Sequence, residues 1–239
     1  MGERSHLLYI VVKELRIEEG AAAADVVTRA PGNDMEGMAM SAVFGDEHAW
    51  DACRKQIEAV VDTGAHFPQW PFRVDAGQVA VFEYSIVLSD VIVPVLESLV
   101  DQYEDEEVLM LGLDPDLAYY REFFGFAPGM RLAADSVGRG YRKGLSWEPN
   151  GKAIGALMFS LNAFALAGSS GSWGFFAQRD WDIAILMTAE DRGDWSTSGP
   201  KWFAPDIELD EIRPPAGWGM PLSDLDKAAF ANAIQDHTR

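Results

Sequence analysis

The chain has 239 residues, 48% of them apolar and 24% charged, with 38 acidic against 19 basic side chains and a formal charge of −19. That balance excludes a disordered or fibrous chain. A surface so negative repels phosphate backbones and anionic lipid, which argues against nucleic acid or membrane as a partner. The single cysteine, Cys53, excludes an internal disulfide and a cysteine-based zinc cluster, and it suits a reducing compartment.

No signal peptide is read at the start, because the apolar run at 7–12 is short and lacks a small-residue cleavage site. The longest apolar stretch, 153–167, falls short of the roughly 20 residues of a membrane span. The expectation is a cytoplasmic protein with a single domain over 1–239, any subdivision falling near 125–150. Charge is unevenly placed: residues 1–120 carry 23 acids and 7 bases, residues 121–239 carry 15 and 12.

Residues 6–17 read as a central strand, apolar on both faces. A turn follows at 31–34, and 38–44 reads as another strand. Trp50, Cys53, Ile57 and Val60 recur at helical steps and predict a helix over 46–63 that stops at Gly64. Pro68 and Pro71 make 66–72 an aromatic loop. Alternation predicts a strand over 77–87, with Phe82, Tyr84 and Ile86 on one face. Asp90 is positioned to cap a helix to Tyr103, with Pro94 in its first turn. A strand at 108–113 precedes a helix that starts at Asp114-Pro115, carries Leu117, Tyr120 and Phe124, and ends at Gly125.

The glycine-bearing stretch 130–147 reads as a strand pair or irregular chain. Ile154, Leu157, Met158, Leu161, Phe164 and Ala165 predict a buried helix capped by Asn150 and ended by Gly168. Residues 173–177 and 181–187 read as a hairpin. A Trp/Pro/Gly-rich segment over 189–221 has little period, and Ser223 caps a last helix through Leu225, Ala229, Phe230 and Ile234. Mixed elements without a β-α-β rhythm predict an α+β fold, a largely antiparallel sheet with helices on its faces.

Catalytic motifs fail on spacing. The four histidines, His6, His48, His66 and His237, include no i, i+4 pair for a helical zinc site. Cys53 lies on an apolar helix face and reads as a core thiol. The glycines of 138–144 lack the dinucleotide spacing, and Arg139, Arg142 and Lys143 there read as ion-pair partners or a solvated turn. Gly168-Ser169-Ser170-Gly171 is one residue short of a nucleophile elbow. No catalytic residue, metal site or cofactor is expected.

What stands out is acid and tryptophan. Glu97, Asp101, Glu104, Asp105, Glu106 and Glu107 crowd one predicted helix end, where the helix dipole disfavours them. Asp206, Glu208, Asp210 and Glu211 form a second run. Of eight tryptophans, Trp50 reads as core, while Trp195, Trp202 and Trp218 lie in the proline-rich segment. Such aromatics anchor loops onto a core or serve as interface anchors.

Three short motifs stand out, Ser172-Trp173-Gly174-Phe175-Phe176, Arg179-Asp180-Trp181-Asp182-Ile183-Ala184 and Gly217-Trp218-Gly219-Met220-Pro221, together 16 of the 239 residues. On these the sequence resembles a bacterial immunity protein, of the tryptophan-rich α+β family paired with restriction-endonuclease-type nuclease toxins. The resemblance implies a non-enzymatic protein that binds and blocks a cognate toxin, such as one delivered by type VI secretion. A basic nuclease would be drawn to the acids. The expected contact set is Glu97, Asp101, Glu104, Asp105, Glu106, Glu107, Asp206, Glu208, Asp210, Glu211, Trp195 and Trp202. The rival reading is a small enzyme with dispersed carboxylates, Glu83, Asp135 and Asp182. A third is a scaffold or self-assembling protein, and the oligomeric state is left open.

Overall fold

Six apolar segments pair into one fully antiparallel sheet in a computed structural model that describes residues 44, 47–191, 199–204, 209 and 221–238. The strands are β1 (Gln78–Glu83), β2 (Glu107–Asp114), β3 (Gly129–Ala133), β4 (Ala163–Gly168), β5 (Trp173–Gln178) and β6 (Ile183–Thr188). Their order across the sheet is β1-β6-β5-β4-β2-β3. Consecutive β4, β5 and β6 form a meander at its centre. The chain divides between Asn33 and Asp34, and every described residue belongs to the second unit.

The helices are α1 (Glu47–Ile57), α2 (Tyr84–Val87), α3 (Val93–Tyr103), α4 (Leu117–Phe124), α5 (Val137–Ser146), α6 (Leu157–Ser160) and α7 (Asp224–His237). Because side chains alternate along a strand, each strand feeds two cores. Phe82, Val108, Met110, Phe164, Leu166, Phe175 and Leu186 face α2 to α6. Val81, Leu109, Leu111, Phe176, Ile185 and Met187 face α1, α7 and the 60–76 loop. The result is the expected α+β architecture, a sheet covered on both sides. Residues 125–150 supply β3 and α5 to this same sheet and core rather than a separate unit.

Several elements match the sequence pattern. The β5–β6 hairpin forms, its connection ending on Asp182 in the left-handed region (φ 56°). Gly125 ends α4 with φ 77°. Ser223 caps α7 in a reciprocal capping box with Asp226. In the aromatic loop, Phe67 packs edge-on against Phe176 (5.1 Å), Trp181 (5.6 Å) and Phe230 (5.4 Å), tying loop, sheet and α7 together.

Other elements differ, each for a local reason. Helix α1 ends at Ile57 rather than near Gly64, because Val61 enters an antiparallel bridge with Phe72. Strand β1 ends at Glu83, and Tyr84–Val87 turns helical so that the Tyr84 hydroxyl can donate to the Leu161 carbonyl (2.8 Å). Ser89, not Asp90, caps the short turn leading into α3. Asp116, not Asp114, caps α4, accepting from the Tyr119 amide at 2.9 Å. The helix expected over 154–167 is two helical turns, α6 and strand β4. All six β4 residues are buried, so no polar alternation marks it as a strand. Leu225, expected in the apolar face of α7, is exposed.

The stretch 137–146 is a helix despite its glycines, and close packing explains them. A side chain at Gly140 would run into Leu132, and one at Gly144 into Met130. The missing side chains let α5 lie close against β3, and burial offsets about 1 kcal/mol of helix propensity lost per glycine. The strands expected over 6–17 and 38–44 lie outside the described residues, except for Phe44. Its amide donates to the Gly129 carbonyl (3.2 Å) beside β3. The turn at 31–34 and most of 189–221 also lie outside them.

Candidate partner interface

At one end of the strands, α3 closes on Glu104, whose left-handed conformation (φ 52°) turns the chain back under the β4–β5 turn. The turn carries Asp105 inward, leaving it 5% exposed. Its carboxylate accepts hydrogen bonds from the Trp173 indole (2.6 Å), the Ser170 amide and the Ser169 hydroxyl (3.3 Å). Ser169 Oγ in turn accepts from the Glu106 amide at 2.9 Å. Gly168 must be glycine, since a side chain there would occupy the place of the Asp105 carboxylate and the Trp173 ring. The Gly-Ser-Ser-Gly segment is thus the seat of a buried carboxylate.

This corrects the expected contact set. Asp105 is an interior ligand of the hairpin and presents nothing to a partner. Glu107 is half-buried and paired with Arg131 Nε at 3.1 Å. Glu97, Asp101, Glu104 and Glu106 are exposed. Trp202 is half-buried and packs against the core on the α3 side of the sheet. Trp195, Asp206, Glu208, Asp210 and Glu211 lie outside the described residues.

The opposite end of the strands is aromatic. Tyr119 contacts Phe123 (4.5 Å between centroids) and Phe124 (6.1 Å) within α4. The Tyr120 hydroxyl donates to Ser160 Oγ (2.6 Å), and Asn150 Nδ2 donates to the Phe124 carbonyl (3.3 Å), which ties α4 to the 149–160 segment. Gly155 lets the Phe124 ring close on that segment. Arg179 donates to the Phe159 carbonyl (3.1 Å) with its guanidinium 5.6 Å from the Tyr84 ring. Burial pushes the Tyr84 and Tyr120 hydroxyls well above the usual phenol range, so both stay protonated donors.

Three large apolar side chains from these tied segments are left in solvent: Phe123 (45% exposed), Ile154 (42%) and Phe159 (57%). The same segments carry the exposed acids Asp116, Glu122 and Glu148, the exposed Lys152 and the Arg121–Glu47 pair (3.7 Å), and half-buried Asp180 follows Arg179. No single residue type signalled this surface in the sequence. Its members come from two separated segments, and Ile154 reads there as core.

The dispersed carboxylates do not assemble. Glu83 and Asp182 are neighbours, since the Tyr84 amide donates to the Asp182 carbonyl (3.0 Å). Asp135 follows β3 at the other edge of the six-stranded sheet, about 24 Å away at ordinary strand spacing. Cys53 is buried and donates to the Met110 carbonyl (3.8 Å). Burial pushes its thiol up to about 12. Among the described residues, no group of three or more His, Cys, Asp or Glu could hold a metal ion, and no helix is long and apolar enough to cross a membrane. No family model, curated protein or solved structure matches this chain.

Proposed function

We propose that this chain is an immunity-type protein, acting in the cytoplasm, that binds a basic nuclease toxin and neutralises it by direct contact. The observation that carries the reading is the aromatic end of the sheet, where Phe123, Ile154 and Phe159 are exposed on segments that hydrogen bonds tie together and that also carry exposed acids. Exposed apolar side chains drawn to one end of a fold suit a protein-binding surface. Aromatic side chains are the preferred anchors of such surfaces. The acids of these segments suit lysine and arginine, which stack on aromatic faces. The charge of −19 steers a basic partner from a distance. A nuclease toxin needs basic groups to hold phosphate, so its substrate groove is the surface most attracted here.

The test is co-purification of the chain with the toxic products of its neighbouring genes, followed by nuclease assay of the complex. A stoichiometric basic partner whose activity vanishes on binding, and returns with a Phe123→Ser/Phe159→Ser variant, supports the reading. A nuclease partner inhibited equally by that variant overturns the placement. Absence of any basic partner at low and moderate salt overturns the function.

A further inference from the structure

Helices α3 and α5 lie side by side, in opposite directions, on the outer surface of one helical layer. Gly138 sits against Val93 and Glu97, the Tyr141 hydroxyl donates to the Val87 carbonyl (2.6 Å), and Arg142 pairs with Asp90 (2.6 Å). Both helices bury one side in the same core, α3 through Leu96 and Leu99, α5 through Val137 and Tyr141. Their other sides form an open ridge.

The ridge is charged in two blocks. Arg139, Arg142 and Lys143 hold the end near the start of α3. Glu97, Asp101 and Glu104 run toward the other end, which Asp135 also approaches, the neighbouring Ala134 amide donating to the Glu106 carbonyl (2.9 Å). Among the described residues, Arg139 and Lys143 form no ion pair, and neither do Glu97, Asp101 and Glu104. Apart from the Arg142–Asp90 pair, these basic and acidic side chains therefore share one ridge without pairing among the described residues. Val91 (47% exposed) and Pro94 lie at the start of α3, beside the basic block. The Glu97 carboxylate rests in the space that a side chain at position 138 would fill.

A twofold axis perpendicular to the ridge turns it end for end. Each acidic block then faces the basic block of the other copy, as an isologous contact requires. Two chains at −19 repel on average, so close contact depends on matching cations to carboxylates in this way. We infer that the α3–α5 ridge is a self-complementary docking surface for a second copy of this chain. The inference does not depend on the toxin reading.

Sedimentation equilibrium of the chain tests it. The expected result is a monomer–dimer equilibrium at low ionic strength that shifts to monomer as salt screens the pairs. Glu97→Lys/Asp101→Lys and Arg139→Glu/Lys143→Glu each place like charges across the axis and weaken self-association by at least ~tenfold. Mixing the two variants restores a dimer containing one of each, since every facing pair is again opposite in sign. Thermal melts confirm folding, with Arg139→Glu alone replacing any double variant that melts early. A wild-type chain monomeric at every salt and concentration overturns the inference. So do variants that still self-associate, or a mixture that stays monomeric.

Discussion

The two ends of the sheet invert what their compositions suggest. At the acidic end, the densest run of carboxylates contains an acid that builds the interior: Asp105 is sequestered under the hairpin, and Trp173 closes over it. At the aromatic end, Phe123, Phe159 and Ile154, the last of which reads as core, remain in water on segments braced by hydrogen bonds from Tyr120 and Arg179. Stability is concentrated where the sequence is most polar, and apolar surface is displayed where it is most aromatic. A buried carboxylate with several donors is costly to disturb, whereas an exposed ring on a braced segment is free to serve a partner.

The largest expected effect breaks the acidic end. Asp105→Ala leaves the Trp173 indole and the Ser170 amide without their acceptor and should cost about 3 kcal/mol in urea unfolding. Glu106→Ala, one residue on, should stay within about 0.5 kcal/mol. Equal costs at the two positions would erase the distinction between interior and surface acid. Next, Gly168→Ala should cost about 1–3 kcal/mol by forcing a methyl into the Asp105–Trp173 contact. A neutral result would show that the hairpin shifts freely.

Alkaline pH probes the interior beneath both ends. Cys53 titrates near 9 when unfolded and is pushed up to about 12 in the fold, so the unfolded state loses its proton first. Its stabilising contribution is full below pH 9 and falls as pH rises toward 12. Tyr84, Tyr120 and Tyr141, raised in the same direction by burial, add to the loss above pH 10. The expected slope is about 1.4 kcal/mol per pH unit for each group that only the unfolded chain ionises. A flat unfolding free energy from pH 9 to 11 contradicts the burial of Cys53. The smallest stability effect belongs to the aromatic end: Phe159→Ser should change unfolding by about 0.5 kcal/mol or less while removing partner affinity by ~tenfold or more.

Local signals made some of the fold legible. The caps at Ser223 and Gly125 and the β5–β6 hairpin follow from turn chemistry and alternation that hold within a few residues. Strand β4 was hidden because Phe164 and Leu166 on one face, Ala165 and Ala167 on the other, leave no polar beat when both sides are covered. Helix α5 was hidden because Gly140 and Gly144 lower helix propensity in isolation, and only Leu132 and Met130 reveal why they are there. The acidic run was visible as a run. That Asp105 alone turns inward depends on Glu104 taking the left-handed conformation and on Ser169 and Trp173, more than sixty positions away, supplying donors. The aromatic end needed α4 brought against the 149–160 segment, which no single window of sequence contains.

The strand order has a consequence for handling this protein in concentrated solution. The most aggregation-prone segments, Ala163–Gly168 and Ile183–Thr188, are interior strands with both neighbours in place. Among the described residues, the sheet's margins fall to β1 and β3. Phe203 clips onto β1, exchanging both backbone hydrogen bonds with Val81 at 2.9 Å, and five-residue β3 is met at Gly129 by Phe44 and carries Arg131 outward. Short, charged or clipped margins give an incoming strand little to extend. A chain with phenylalanine rings exposed to water is thereby guarded against stacking into fibres.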